Sequence, residues 1–332
     1  MDSHIQTNDF LAGKDDFYNI ACGVDDKFVM PLATMLNSLF IFNKHHRFRV
    51  FILSLKISNE NKKQISDWVH SKEHIVKFID VEEQLLNPFP IMQAEDISKA
   101  TYLRIFIPEL IPQEINKILY LDTDIIINRN IDNLYNTNID SYALAAVEDA
   151  PNDSFVAKKN FPSRYFNAGV LLLNLQFLRE INFSNQARQY IQQSAIPLKF
   201  HDQDILNDIL LNKILFLPIQ WNLLDCFFYK PAIIQNERIN ELTIAKRSPA
   251  IIHFSGTVKP WHIGNIHPLS KKFKSCRPKL KIYNEVSKWE KFKTFPRYQK
   301  ILFIMHCPTG IIRIIDPIII KIWTKIDKLR QR

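Results

Sequence analysis

Lys117-Ile-Leu-Tyr-Leu-Asp-Thr-Asp-Ile-Ile-Ile-Asn128 places two carboxylates, Asp122 and Asp124, inside an otherwise apolar, strand-like run. In an extended chain residues two apart point to the same face, so the pair is expected to converge there. Two like charges side by side in apolar surroundings need a cation or a set of donors to compensate them. Hard carboxylate oxygens suit Mg²⁺ or Mn²⁺, which hold phosphates while leaving coordination positions open. A second Asp-x-Asp, Asp202-Gln203-Asp204, differs in context: it follows Phe200 and His201 and opens a helical pattern, where Asp202 reads equally well as a helix N-cap.

Outward from this run, short apolar stretches alternate with amphipathic ones, which predicts an α/β layered fold. Strands are expected at 19–24, 48–55, 76–81, 117–128, 143–148, 166–175, 214–219 and 250–254, and helices at 30–42, 59–70 (with Ser58 as cap), 97–106 and 202–211. Ligands of open α/β sheets bind beyond the carboxyl ends of the strands. That draws attention to Ile251-Ile-His253-Phe-Ser-Gly256-Thr-Val-Lys259-Pro-Trp261-His262, which follows a β-branched run. It offers a metal-ligand candidate in His253, close backbone approach at Gly256 and a phosphate-suited lysine in Lys259. Alone, a histidine so placed is more often a core residue than a ligand, and it is the carboxylate pair elsewhere on the sheet that supports the ligand reading.

The chain has 332 residues, 46% apolar and 23% charged, enough for one large core or two modest ones. Its six glycines, at 13, 23, 169, 256, 264 and 310, form neither a G-x-G-x-x-G nor a P-loop, which excludes the usual glycine-loop dinucleotide and NTP folds. Cys22, Cys226, Cys276 and Cys307 are widely spaced and read as reduced thiols of a cytosolic protein. The polar start, Met1 to Asp16, lacks the basic and then apolar layout of a signal peptide.

Charge is uneven. From Leu269 onward 17 lysines and arginines face four acids, a surplus of 13, so the rest of the chain carries −4 of the formal net +9. Pro308, Gly310, Arg313, Asp316 and Pro317 interrupt the apolar stretch from Ile301 to Ile320, which argues for lying on a membrane rather than crossing it. Ile319, Ile322, Trp323, Ile326 and Leu329 recur at helical spacing opposite Lys321, Lys325 and Lys328, a basic amphipathic helix suited to an anionic surface. Lys271, Lys272, Lys274, Arg277, Lys279 and Lys281 with Phe273 and Tyr283 also spell a nucleic-acid pattern. That reading leaves the body motifs unexplained, and no nucleic acid partner is expected.

The phrases Asn19-Ile-Ala-Cys-Gly-Val-Asp-Asp26, Ala100-Thr-Tyr-Leu-Arg104, Leu119-Tyr-Leu-Asp-Thr-Asp124, Phe166-Asn-Ala-Gly-Val-Leu-Leu-Leu-Asn174, His201-Asp-Gln-Asp-Ile-Leu-Asn207 and His253-Phe-Ser-Gly-Thr-Val-Lys-Pro-Trp261, in this order, together resemble the family 8 glycosyltransferases. The resemblance implies a GT-A fold, a Rossmann-like mixed sheet flanked by helices, over residues 19–268, after a polar leader (1–18) and before a helical basic region (269–332). It implies a UDP-sugar donor, a Mn²⁺ or Mg²⁺ cofactor and transfer with retention. By matching position, Asp122, Asp124 and His253 would hold the metal, and Gly256 and Lys259 the diphosphate. Gly23, Asp25, Asp26 and Phe28 would face uridine. Arg104, Asn167, Asp202 and Gln203 would hold the hexose, with Thr123 and Ala168 in the same motifs and Asp149 toward the acceptor. Lys27-Phe28 stands where many relatives have a small polar residue and tyrosine, which keeps stacking on uracil and loses the hydroxyl.

Retention needs a covalent glycosyl-enzyme or a front-face route in which the leaving phosphate helps deprotonate the acceptor. The matched position offers Gln203, an amide and a poor nucleophile, so the front-face route is expected, with Asp202 and Asp149 the carboxylates nearby. The leader, the phrase Thr257-Val-Lys-Pro-Trp-His262 and the basic aromatic tail resemble the bacterial lipopolysaccharide core hexosyltransferases. The resemblance implies glucose or galactose transfer to a lipid-linked core oligosaccharide by an enzyme peripheral on the inner face of the bacterial inner membrane. Relatives acting on proteins, capsule or cell-wall polysaccharide share the donor motifs.

Overall fold

The computed structural model describes residues 17–90, 98–149, 164–193, 198–229, 238–256, 258–262, 265 and 267–282. A seven-stranded sheet runs in the order β3-β2-β1-β4-β7-β6-β8, from β1 (Phe17–Asp25), β2 (Arg47–Leu55), β3 (Ile75–Asp80), β4 (Lys117–Leu121), β6 (Leu144–Glu148), β7 (Phe166–Asn174) and β8 (Ile214–Leu217). Strands β3, β2, β1 and β4 are parallel, and β7 then enters antiparallel between β4 and β6. The C-terminal ends of β1 and β4 and the N-terminal end of β7 therefore share one edge of the sheet, where ligands of such sheets bind.

The central strands are covered on both faces, so they read as continuous apolar runs rather than alternating ones. Along β1, Ile20, Cys22 and Val24 enter one core with Met35, Leu36 and Leu39 of the Val29–Phe42 helix. Ala21 faces the opposite core, with Phe51, Tyr102, Leu103, Phe106 and Ile205. The Val29–Phe42 helix is buried almost all round because a second, three-stranded sheet covers its other side. That sheet has the order β5-β10-β9, from β5 (Ile125–Ile127), β9 (Leu223–Leu224) and β10 (Ile251–His253). Two buried polar side chains of this helical segment stitch it to the outer layer: Ser38 Oγ accepts Ile127 N–H at 3.0 Å and Asn43 Oδ1 accepts Ile131 N–H at 2.8 Å.

Two expectations change. The run 117–128 is not one strand: β4 and β5 belong to different sheets, and Asp122-Thr123-Asp124 is the crossing between them. Residues 99–106 form a 3₁₀ helix, Lys99–Phe106, capped by Ser98, while Ile97 lies outside the described residues. Ser58 caps Asn59–His70 as expected, its hydroxyl accepting from Asn61 N–H, and Ile65 and Val69 face inward.

The described start of the basic region continues the body's core. In the Ser270–Ser275 helix Phe273 is buried against Trp261 at 5.2 Å, and Asn37 Nδ2 donates to the Cys276 carbonyl at 2.8 Å. Phe17 and Tyr18, the end of the expected leader 1–18, already belong to β1, while residues 1–16, and residues 283–332 with the expected amphipathic helix, lie outside the described residues. No helix among the described residues is long and apolar enough to cross a membrane.

Candidate active site

Asp122 and Asp124 converge through the crossing, not through the pleat of one strand. Asp122 N–H donates to Gly169 O on β7 at 2.8 Å, and the Asp124 carbonyl accepts Phe254 N–H beyond β10 at 3.0 Å. Each residue is thus pinned to a different sheet. His253, paired with Ile125 on one side and Leu224 on the other, ends β10 at the same place. Its Nε2 lies 3.2 Å from Asp124 Oδ1 and 3.9 Å from Asp122 Oδ2. One ligand atom from each of the three falls within 4.8 Å of the others.

Hydrogen bonds around the trio fit a cation. Gly169 N–H donates to Asn167 Oδ1 at 2.9 Å, which fixes that atom as oxygen, so the Asn222 atom facing it at 2.9 Å is the amide nitrogen. Asn222 Oδ1 must then face His253 Nδ1, which donates to it at 2.9 Å. Nε2 is left aimed at the carboxylates, the arrangement of a metal-ligating histidine oriented by an outer partner. Gly169 supplies the space: a Cβ there would stand 2.3 Å from His253 Cε1 and 2.8 Å from Asp122 Oδ2. Two carboxylates and an imidazole in a partly buried, space-reserved cradle suit Mn²⁺ or Mg²⁺.

Charge is arranged around this centre. Burial opposes the charged forms of Asp124 and His253, but Lys259 and His253 hold the Asp124 carboxyl well below the usual range, and the two aspartates hold His253 above its own. Lys259 Nζ donates to Asp124 Oδ2 at 2.6 Å and to Phe254 O at 2.9 Å. On the other flank buried Arg104 lies 2.8 Å from Asp122 Oδ1, where Tyr120 OH also donates at 2.9 Å. Its Nε lies 2.9 Å from Asp202 Oδ2 while its hydrogen points to Thr101 O, and Thr101 Oγ1 donates to Asp202 Oδ1.

These groups line one cavity of about 420 Å³, within the range of small-molecule sites. The structure brings into its wall Gly23, Asp25 and Phe28 from the first motif, and Arg104, Asp122, Thr123 and Asp124. Asp149, Asn167, Ala168, Asp202 and Gln203 also line it, as do His253, Gly256 and Lys259. Asp26 is the correction. Its Oδ1 accepts from Ser58 N–H, Ser58 Oγ and Asn61 Nδ2 at 2.8 to 3.1 Å, so it anchors the Asn59–His70 helix outside the cavity. Nor does Asp202 cap its helix. Asp204 Oδ2 instead takes Lys199 and Phe200 N–H, and His201 turns the chain with a φ of 52°.

Gln203 sits at the far end of a continuous amide network. Its Nε2 donates to Asp149 Oδ2 at 2.9 Å, and its Oε1 accepts Ala168 N–H at 3.0 Å and Asn167 Nδ2 at 3.2 Å. Asn167 passes the chain on to Asn222 and so to His253. Sequence reasoning missed Asn222, Tyr120, Thr101 and Cys226. Thr101 and Tyr120 lay inside the quoted motifs, whereas Asn222 directly precedes, and Cys226 follows by two residues, a two-residue strand that leaves no periodic signal.

Comparison with known proteins agrees. The model of the family described as glycosyl transferase family 8 matches residues 19–264. General stress protein A of Bacillus subtilis is 28% identical over 265 residues, 77% of this chain and 91% of that protein. The lipopolysaccharide 1,2-glucosyltransferase of Escherichia coli is 25% identical over 310 residues, 89% and 88% of the two chains. Among solved structures, galactosyltransferase LgtC in complex with donor and acceptor sugar analogs superposes with a TM-score of 0.71 at 22% identity, over 86% of this chain and 99% of that one. The mixed sheet flanked by helices is therefore the GT-A fold, and with the family model covering most of its length the chain belongs to glycosyl transferase family 8.

Proposed function

We propose that this glycosyltransferase moves glucose or galactose from a UDP-sugar to a lipopolysaccharide core oligosaccharide, with retention and by a front-face route. The observation that carries the donor half is the meeting of Asp122, Asp124 and His253 with the Lys259 ammonium at one cavity. A divalent cation bound by the three would offset charge collecting on the departing diphosphate. Lys259 offers a second positive charge at the same edge, and Phe28 a ring for uracil beside Trp261. Asn222 keeps His253 oriented, and Arg104 with Tyr120 keeps Asp122 in place.

The side chains expected near the sugar favour the front-face route. Both lone pairs of Gln203 Oε1 are engaged, and Asp202 is held by Arg104 and Thr101. Asp149 Oδ2 accepts from Gln203 and Asn167. On this route the leaving phosphate oxygen takes the proton of the acceptor hydroxyl as the new C1–O bond forms and UDP departs. A sugar trapped on Gln203, Asp202 or Asp149 in a mass spectrum would contradict this route.

The acceptor reading rests on the tail. The family model ends at 264, so a match covering 89% of the chain must run into the basic segment, and the relative so matched is a lipopolysaccharide 1,2-glucosyltransferase. A surplus of 13 positive charges suits a phosphorylated glycolipid in an anionic leaflet, with the enzyme peripheral on the cytoplasmic face. The test is UDP release and transfer from UDP-glucose and UDP-galactose with Mn²⁺ or Mg²⁺, with and without truncated lipopolysaccharide. Release stimulated by the glycolipid is expected. Release indifferent to it would discard the acceptor, and no release from either sugar would discard the donor.

A further inference from the structure

Asp225 is a deeply buried carboxylate beside the cavity that the reaction above does not use. It is 1% exposed and follows β9 directly, next to the end of β10. Its Oδ2 accepts Gly256 N–H at 2.9 Å, and its Oδ1 lies 3.2 Å from Nε2 of His267, whose side chain is equally buried. The backbone sets the orientation of His267: Leu269 N–H donates to Nδ1 at 3.1 Å, which leaves Nε2 as the nitrogen 3.2 Å from Asp225, an ion-pair distance without hydrogen-bond geometry. The rings of Phe228 and Phe254, each 4.9 Å away and edge-on, hold the imidazole in that orientation.

Gly256 and His267 are the two ends of the segment that carries Lys259. One carboxylate thus touches both ends, through a hydrogen bond from Gly256 N–H and a 3.2 Å approach to His267 Nε2, and a carboxylate buried this deeply depends on such polar neighbours. The glycine is part of this contact, since a Cβ at 256 would stand 2.5 Å from Asp225 Oδ2. Because the Gly256 amide is committed to Asp225, it is not directed at a diphosphate. Lys259 is the cation this segment presents, and it reaches Asp124.

We propose that Asp225, through Gly256 and His267, is a positioning residue that sets Lys259 against the metal-binding carboxylates and thereby sets affinity for the diphosphate of the donor. The proposal deepens the donor reading above and rests on it. Asp225→Asn keeps the shape, but its amide can accept from one of these neighbours only by turning an N–H toward the other. UDP with Mn²⁺ titrated by calorimetry into the full chain is expected to bind about ten- to a hundredfold more weakly in this variant, the usual effect of losing an outer-shell partner. In turnover, KM for the UDP-sugar should rise while KM for the acceptor stays put.

A double-mutant cycle distinguishes positioning from general destabilisation: Lys259→Ala should cost far less in the Asp225→Asn background than in the wild type. Gly256→Ala, which keeps the charge but presses on the same contact, should weaken UDP binding in the same direction and covers the case in which Asp225→Asn does not fold. Independent, multiplying penalties, or wild-type UDP affinity in either folded variant, would overturn the proposal alone. A wild type that binds no UDP with Mn²⁺ would overturn the donor reading and this proposal with it.

Discussion

Gly169→Ala adds one methyl group at the point where both sheets and the three metal-ligand candidates meet. The new Cβ would stand 2.3 Å from His253 Cε1 and 2.8 Å from Asp122 Oδ2. The first distance is more than about 1 Å inside ordinary carbon contact. Neither neighbour can step aside cheaply. His253 sits on the middle strand of its sheet with Nδ1 tied to Asn222, and Asp122 is tied to Arg104 and Tyr120. Overpacking of this kind costs about 1–3 kcal/mol of folding stability. A ligand displaced by about 1 Å costs on the order of 10²-fold in function, or about 2.7 kcal/mol. The expected result is a melting temperature lower by a few degrees, with Mn²⁺ affinity and UDP-sugar turnover falling far more steeply than stability. Calorimetric Mn²⁺ titration beside thermal melts measures both. An alanine variant that binds Mn²⁺ and turns over within twofold of wild type would refute the idea that this space is kept for the ligand pair.

Asn222→Ala removes the acceptor of His253 Nδ1 and the donor to Asn167 together, so Mn²⁺ affinity should fall about 10- to 100-fold with the fold intact by circular dichroism; unchanged affinity would show that His253 needs no orienting partner. Burial, with Arg47 and Lys72 nearby, pushes the His74 imidazole down to about 4, and its Nδ1 accepts Phe48 N–H. The unfolded chain takes up that proton first, so this stability is complete above about pH 6.5 and is lost between there and about pH 4. Over that range the wild-type melting temperature should drop more steeply than that of His74→Gln, and parallel curves would contradict the assignment. Cys226 lines the cavity, whereas burial pushes the thiol of fully covered Cys22 upward, so a thiol reagent should modify Cys226 and spare Cys22 until the chain unfolds. Mass-spectrometric mapping should also show Cys226 protected by UDP with Mn²⁺, and early labelling of Cys22 would count against the packing of β1.

The α/β layering was legible because strands buried on both faces stand out as apolar runs. For the same reason the break inside 117–128 was hidden. Leu121 and Ile125 to Ile127 are all fully buried, so nothing in their polarity marks that they serve two sheets. Asp122 and Asp124 were found by their chemistry, although a crossing between layers, not the pleat of one strand, brings them together. Asp25 and Asp26 are chemically alike in sequence, and only the 3₁₀ turn, with Asp25 as its cap, sends one to the cavity and the other to Ser58. Asn222 and Asp225 act through partners 31 residues away, His253 and Gly256, a relation that local patterning does not encode.

The most direct measurement is a calorimetric titration of UDP into the full chain with Mn²⁺ and again with the metal chelated, repeated for Asp124→Asn and His253→Ala. If Asp122, Asp124 and His253 hold the cation that receives the donor's diphosphate, UDP binds only with Mn²⁺ and binding is lost in both variants. UDP affinity that is the same with the metal removed, or that survives both substitutions, would contradict it.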